Sequence, residues 1–512
     1  MPPAFNSYLC ALMKNELQVF NSYTGKKEVL KPIHEGQIGM YVCGPTVYSD
    51  VHLGNCRTFV SFDVIFRYLK YLGNNVRYVR NITDVGHLEG DADSDAEDKI
   101  SKKARIEQLE PMQIVQHYMN GFHDIMKVFN TLPPHIEPRA TGHIVEQIEM
   151  VQEIIDNGLA YENNGSVYFD TLKFAEKHGV YGALSGRKIE DLMAESRDNL
   201  KNQEEKRHPS DFAIWIKAAP EHLMRWKSPW SVGFPGWHLE CSVMSTKYLG
   251  EKFDIHGGGN DLKFPHHENE IAQNYGACGH APCNYWLHTN MLLLNGKKMS
   301  KSDGNSIMPG ELFTGQSPHL TKAYSPMVVR FFMLQSHYSS TLDLTDDALQ
   351  AGEKGYRRLM EGQKALQSMT HPGGGSAGVL DKEVNAAIDQ AFADMNDDFN
   401  TPKALASLFE LVTKVNSLKG GQLSFNEITV ETLERLKKTF NDFIFSIFGL
   451  QEENFDSSGD GVVDGLMQLI LDMRQNARTN KDWGTSDKIR DVLKELDIVV
   501  KDGKEGVSWS KG

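Results

Sequence analysis

Long hydrophobic runs are missing from this 512-residue chain, and no segment reaches the roughly 18 apolar residues of a membrane-crossing helix. The N-terminus, Met-Pro-Pro-Ala-Phe-Asn, has no basic stretch leading into an apolar one; no export signal is read there, and a cytoplasmic location is expected. Cysteine is scarce. Cys10, Cys43, Cys56, Cys241, Cys278 and Cys283 are too scattered for a disulfide framework, which leaves thiol or metal roles. Positive charge is in deficit, 54 Lys and Arg against 68 Asp and Glu for a net −14. That argues against a protein that coats nucleic acid indiscriminately, but leaves room for a local basic surface fitted to one structured RNA. Internal repeats are also absent. What is there is 40% hydrophobic and 24% charged residues, in a chain long enough for three or four domains.

Residues 39–81 follow a strand, loop, helix, strand pattern. Phe62, Ile65, Phe66, Leu69 and Leu72 recur at helical spacing, and Gly73 follows as a stop. The βαβ unit this makes implies a parallel sheet. Strand patterns return at 253–256 and 285–294, so the sheet is expected in two halves around an insertion, in which Asn163-Asn164-Gly165 marks a hairpin. After Thr345 amphipathic helices take over as far as Leu450, interrupted by His371-Pro-Gly-Gly-Gly-Ser-Ala-Gly378, read as a flexible connection. Past a polar gap at 456–461 come two short helices and two strands. The fold class is α/β: a Rossmann-like parallel sheet split by an insertion, then a helical bundle and a small α+β unit.

Two motifs suit phosphate. His52-Leu-Gly-Asn55 lies between the first strand and the first long helix, at the carboxyl end of a strand, where open parallel sheets bind ligands. A helix N-terminus there offers free N–H groups and partial positive charge. His52 and Asn55 can donate hydrogen bonds, and Gly54 lets a flat ring lie against the backbone. A plain helix cap accounts for the same tetrapeptide. Lys297-Lys298-Met299-Ser300-Lys301-Ser302-Asp303-Gly304 follows a strand of the second half. It reads as a mobile cationic loop that neutralises a leaving pyrophosphate, or as a solvated turn.

A metal set is also legible. Cys43 ends the first strand, Cys241 lies in Gly236-Trp-His-Leu-Glu-Cys-Ser242, and His266 and Glu270 lie in Phe264-Pro-His-His-Glu-Asn-Glu270. Pro265 can open a helix that carries His266 and Glu270 on one face at i, i+4 spacing. Two thiolates, an imidazole and a carboxylate suit Zn²⁺. Core filling explains Cys43 as well as ligation does. Cys278-Gly-His-Ala-Pro-Cys283 is a rival set.

The pairing of His52–Asn55 with Lys298–Ser302 resembles the HIGH and KMSKS signatures of class I aminoacyl-tRNA synthetases, with Leu53 and Asn55 departing from the first. Met40-Tyr-Val-Cys-Gly-Pro-Thr-Val-Tyr48, Asn81-Ile-Thr-Asp84, the Trp237 and Pro265 segments above, Asp254-Ile-His-Gly-Gly-Gly-Asn-Asp-Leu262 and Arg330-Phe-Phe-Met-Leu-Gln-Ser-His337 resemble the cysteinyl-tRNA synthetase family. So do Ser486-Asp-Lys-Ile-Arg-Asp491 and Gly506-Val-Ser-Trp509 near the end, so the resemblance spans nearly the whole chain.

The resemblance implies a ligase that activates L-cysteine with ATP to cysteinyl-adenylate and transfers it to the 3′ end of tRNA(Cys). It implies one zinc on Cys43, Cys241, His266 and Glu270, selecting the substrate sulfur as thiolate without an editing site. Catalysis falls to His52, Asn55, Lys298 and Lys301, with Mg²⁺ accompanying ATP. ATP contacts fall to His52, Gly54, Asn55, His256, Gly257, Gly258, Gly259 and Lys301. Substrate contacts fall to Gly44, Thr83, Trp237 and Asp261; for Trp237 a core position is the alternative. The implied divisions are 1–130 and 236–344 as the halves of the catalytic domain, 131–235 as the insertion, 345–455 as a tRNA-binding bundle and 456–512 as an anticodon-binding unit. A monomer is expected. Residues 474–511 hold nine Lys and Arg against seven Asp and Glu, a local +2, with Trp483, Arg490 and Trp509 as stacking groups for bases. The runner-up is a tRNA-independent cysteine ligase of the mycothiol-synthesis type, which the terminal segment disfavours.

Overall fold

A computed structural model describes residues 16–85, 99–187, 205–299, 304–453, 460–480, 482–496, 498–503 and 506–511. The acidic run at 91–98, His87, Cys10 and the part of the cationic loop from Ser300 to Asp303 lie outside the described residues. Among the described residues, no helix is long and apolar enough to cross a membrane.

Strands β1 (Gln18–Asn21) and β2 (Lys26–Val29) pair as an antiparallel hairpin. The expected βαβ unit follows as β3 (Gln37–Val42), α1 (Leu53–Tyr71) and β4 (Asn75–Arg80), with β3 and β4 parallel. Helix α1 is buried almost all round, as a helix through the centre of a large core must be. Helices α2 (Lys99–Glu107), α3 (Pro111–Val128) and α4 (Ile144–Asp156) lead into the insertion.

There β5 (Ala160–Asn163) and β6 (Ser166–Phe169) turn at Asn164 and Gly165, with φ of 53° and 87°, the two left-handed residues of a tight hairpin. After α5 (Thr171–His178) come β7 (Phe212–Lys217), β8 (Trp226–Lys227) and β9 (Val232–Pro235), completing a five-stranded antiparallel sheet of order β5-β6-β7-β9-β8.

The second half of the central sheet is α6 (Leu239–Leu249), β10 (Phe253–Gly259), α7 (His266–Cys278) and β11 (Cys283–Thr289). The core under the insertion, with Phe169, Phe212 and Trp215, runs on into Leu239 and Val243 of α6 and Ala272 of α7. The two helices that carry three expected metal ligands are thereby wedged between two sheets. The central sheet has the order β11-β10-β3-β4, all parallel. Its halves meet where β3 lies beside β10, so the strand order reverses at the carboxyl ends of those two strands, the position where such sheets hold ligands.

Strands β12 (Leu292–Leu294), β13 (Lys297–Lys298) and β14 (Leu342–Leu344) form a small sheet around α8 (Pro309–Thr314) and α9 (Pro326–Leu334). The helical region is α10 (Asp346–Ser368), α11 (Val379–Asn396), α12 (Thr401–Lys419) and α13 (Val430–Asn441), ending in a widened turn at Asp442–Ile447.

Arg330 on α9 is fully buried. Its guanidinium donates to the Phe448 and Phe129 carbonyls at 2.7 Å each and pairs with Asp63 of α1. Gly449, at φ 61°, has no room for a side chain: a Cβ would lie 2.4 Å from Arg330 Nη2. The glycine tract between α10 and α11 is not the loose connection expected. His371 Nε2 hydrogen-bonds the Phe425 and Ile428 carbonyls, Ser376 N donates to the Asn426 carbonyl, and a Cβ on Gly375 would meet the Ile428 carbonyl at 2.1 Å. Gly375 and Gly378 serve close backbone packing, while Gly373 and Gly374, at φ of 90° and 77°, serve the turn.

Clustering of the backbone separates residues 1–451 from 452–512. The second unit has α14 (Asp460–Thr479), α15 (Trp483–Glu495) and a hairpin of β15 (Ile498–Gly503) and β16 (Gly506–Lys511), closed over Met467, Leu471 and Leu493.

Candidate active site and metal centre

Cys43 is the first residue past β3, held against β10 by its N–H, which donates to the Gly257 carbonyl at 3.0 Å. Cys241 lies on the first turn of α6, and His266 and Glu270 on the first turns of α7. All four are buried, and their ligand atoms lie within 4.8 Å of one another. Four of the six edges of the cluster are Cys43 Sγ to Cys241 Sγ 3.7 Å, Cys43 Sγ to Glu270 Oε1 3.6 Å, His266 Nε2 to Cys241 Sγ 3.4 Å and His266 Nε2 to Glu270 Oε1 3.2 Å. Burial pushes the Cys43 thiol well up and the Cys241 thiol up to about 12. A dication reverses that penalty, because it binds the thiolates. The rival residues part company: Cys283 is buried with its thiol directed at the Tyr285 carbonyl, Cys278 is half-buried, and neither joins a ligand cluster among the described residues.

A shell of aromatic rings surrounds the cluster. His256 Nε2 lies 2.8 Å from Glu270 Oε2, and its ring stacks on Trp286 at 4.3 Å. His267 Nε2 is 3.3 Å from Cys43 Sγ, and its Nδ1 is 2.8 Å from His288 Nε2. His238 Nδ1 faces His266 Nδ1 at 3.1 Å. Desolvation drives His267 and His288 well below the usual imidazole range, keeping both neutral.

A cleft of about 810 Å³ opens above Cys43, with His52, Asn55, Trp237, Gly259 and Asp261 on its walls. His52 caps α1 through a reciprocal pair: its Nδ1 accepts from Asn55 N–H at 3.4 Å, while Asn55 Oδ1 accepts from His52 N–H at 3.3 Å. The residues read as a phosphate motif are thus the cap of α1, on the wall of the cleft. Trp237, half-buried, packs at 4.6 Å on His266 while facing the cleft. Lys298 ends β13 and is exposed; Lys301 lies outside the described residues.

The glycine run divides. Gly259 faces the cleft, but Gly257 is a packing glycine, where a Cβ would meet the Phe62 ring at 2.2 Å. His256 is fully buried on the metal side, with Glu270 and Trp286 as its partners. Thr83 lies behind the cleft wall and donates its hydroxyl to Glu240.

Sequence reading missed the support of that wall. Asn81 Oδ1 accepts the Gly44 N–H at 2.8 Å, its amide donates to Thr83 Oγ1 at 3.1 Å, and a Cβ on Gly44 would meet the Asn81 carbonyl at 1.6 Å. Glu240, next to Cys241, is fully buried with its carboxyl pushed well up by desolvation. A buried Glu in an otherwise apolar helix start is the signal that could have flagged it.

Residues 29–354 match the family described as tRNA synthetases class I (C) catalytic domain, 392–452 a DALR domain and 467–509 a cysteinyl-tRNA ligase anticodon binding domain. The chain is 52% identical over 498 residues to a cysteine–tRNA ligase of Bacteroides thetaiotaomicron, covering 97% of this chain and 99% of the relative. A cysteine–tRNA ligase of Deinococcus radiodurans is 46% identical over 501 residues, with 97% of each covered. A Mycobacterium tuberculosis methionyl-tRNA synthetase in complex with methionyl-adenylate shares the fold at TM-score 0.56 and 13% identity, over 80% of this chain and 89% of that one. With a split parallel sheet, a ligand cluster at its strand-order reversal and these matches end to end, the chain belongs to the cysteinyl-tRNA synthetase family of class I aminoacyl-tRNA synthetases.

Proposed function

We propose that this chain activates L-cysteine with ATP, giving cysteinyl-adenylate and pyrophosphate, and transfers the cysteinyl group to the 3′ end of tRNA(Cys), acting as a monomer in the cytoplasm. In this reading one zinc ion on Cys43, Cys241, His266 and Glu270 selects the substrate, and the divisions after 130, 235, 344 and 455 separate the working parts. The observation that carries it is the shape of the buried cluster. A tetrahedral zinc with bonds of about 2.3 Å to sulfur and 2.0–2.2 Å to nitrogen and oxygen has edges of roughly 3.8 Å for S···S, 3.6 Å for S···N and S···O and 3.4 Å for N···O. The four edges given above follow that order and fall within about 0.2 Å of those values. When bound, the ion would take the substrate sulfur as a thiolate, which the harder and far less acidic hydroxyl of serine does not match.

The protein's own groups do the rest. His256, tied to Glu270, and His238, against His266, hold two ligands in orientation. Trp237 and Asp261 wall the amino-acid end of the cleft, Asn81 holds Gly44 on its lining, and Glu240 holds Thr83 behind it. His52 and Asn55 present donors at the α1 N-terminus to the ATP phosphates, with Mg²⁺ on the same phosphates and Gly54 and Gly259 leaving room for the nucleoside. Lys298 and Lys301 neutralise the departing pyrophosphate.

Charging of tRNA with labelled cysteine and, in parallel, labelled serine tests this reading. Cysteine charging alone is expected. Cysteine-dependent ATP–pyrophosphate exchange without charging would point instead to a tRNA-independent ligase, and no exchange from zinc-loaded protein would end the enzymatic reading.

A further inference from the structure

A second cavity, of about 590 Å³, opens beside the carboxyl ends of β10 and β11. The turn after β10 separates it from the cleft: Gly259 and Asp261 face the cleft, whereas Asn260 and Lys263 face the second cavity. The β1–β2 hairpin contributes Lys27, and the segment before α12 contributes Asp398 and Asn400.

Its charge is unbalanced in a way that calls for an anion. Lys263 is half-buried, and burial pulls its pKa down, with no carboxylate among the described residues offsetting it. Taking an ammonium partly out of water costs free energy unless a counter-charge meets it. His288 on the same wall is 5% exposed, and its Nδ1 has no hydrogen-bond partner among the described residues while Nε2 is engaged by His267. Lys263 and that imidazole line the same cavity. Asp398, the one carboxylate on the wall among the described residues, is already committed. It accepts from the Phe20 N–H at 2.9 Å and the Tyr338 hydroxyl at 2.7 Å, and lies 3.6 Å from His337 Nε2. Lys27, paired with Asp397, stands at the rim as a second cation.

We propose that this cavity binds a phosphate ester, with Lys263 on the phosphate oxygens and the Asn260 amide as a hydrogen-bonding partner for the phosphate or its sugar. The ester comes either from the backbone of the charged RNA or from a free nucleotide. The RNA source rests on the ligase reading; the nucleotide source does not.

The test uses the full-length, zinc-loaded chain and its Lys263→Glu and Lys263→Arg variants. Three quantities are read: the KM for tRNA(Cys) in charging at several salt concentrations, ATP–pyrophosphate exchange, and calorimetric binding of AMP with the cleft filled by a non-hydrolysable cysteinyl-adenylate analogue. For an RNA source, Lys263→Glu raises the tRNA KM about 10-fold and lowers its salt slope by about one, exchange stays within about two-fold, and Lys263→Arg restores the wild-type values. For a free nucleotide, AMP binding is present in the wild type and lost in Lys263→Glu at unchanged tRNA KM. An unchanged tRNA KM together with no AMP binding in any form overturns the proposal, as does loss of exchange in Lys263→Glu or failure of arginine to rescue. Absence of exchange in the wild type would strike the ligase reading and leave the AMP arm standing.

Discussion

The ligand cluster and the cleft rim around His52 and Asn55 lie at the same end of the same sheet but are built in opposite ways. Cys43, Cys241, His266 and Glu270 are buried; the two helices that carry the last three pack into the core under the insertion, the Cys43 N–H is tied to the Gly257 carbonyl, and His238 and His256 lie against His266 and Glu270. His52 and Asn55 brace each other through the cap of α1, and Lys298 projects from a two-residue strand into solvent. The difference teaches where each task sits. Discrimination between a sulfur and an oxygen needs ligand positions set before the substrate arrives, and close packing supplies them. Binding a polyanion and releasing pyrophosphate needs donors that water and ligand can reach.

If that division holds, damage to the two regions should give separable phenotypes. The largest effect is expected for Cys241→Ala. Bound zinc, measured by elemental analysis, falls from one per chain to none, and cysteine-dependent exchange falls by more than about 100-fold, beyond what loss of a bracing residue costs. His52→Ala should lower the exchange kcat by about 100-fold with the zinc content unchanged; zinc loss there would break the comparison. His238→Ala removes a brace from His266 and is expected to weaken zinc binding by about 10–100-fold in competition with a chelator. Two glycines extend the contrast to stability. Gly257→Ala drives a methyl into the Phe62 ring and should cost about 1–3 kcal/mol, seen as a lower Tm. Gly54→Ala meets only the His52 ring at 3.0 Å, so it should leave the Tm alone and raise the KM for ATP a few-fold.

Much of this was legible before any coordinates, for reasons of period and spacing. The βαβ unit showed because α1 pairs helical apolar spacing with a Gly73 stop, and the Asn163–Gly165 hairpin because its turn needs two left-handed residues. Cys43, Cys241, His266 and Glu270 lie in sequence words distinctive enough to be named together, and the structure brings them together. What stayed hidden depends on long-range packing. Nothing local separates a glycine that faces the cleft, such as Gly259, from one that admits Phe62, such as Gly257. The same holds for His256: its neighbours in sequence are glycines, but its partners, Glu270 and Trp286, are brought in by α7 and β11. The tract at 371–378 has a linker's composition, yet it is pinned by carbonyls some fifty residues away (His371 to Phe425, |i−j| = 54).

The buried Arg330 carries a consequence for how this molecule can be cut and recombined. One guanidinium ties α1, the residue after α3 and the last turn of the helical region, and Gly449 is there to admit it. A truncation before residue 448 would strip carbonyls from a charge that has no route to water, and a helical region borrowed from another protein would have to bring the same carbonyl at the same place. The stretch matched as a DALR domain, residues 392–452, is therefore no cassette. Its C-terminal end shares the Arg330 guanidinium with Asp63 of α1, so substitutions at Gly449 and Asp63 should not add.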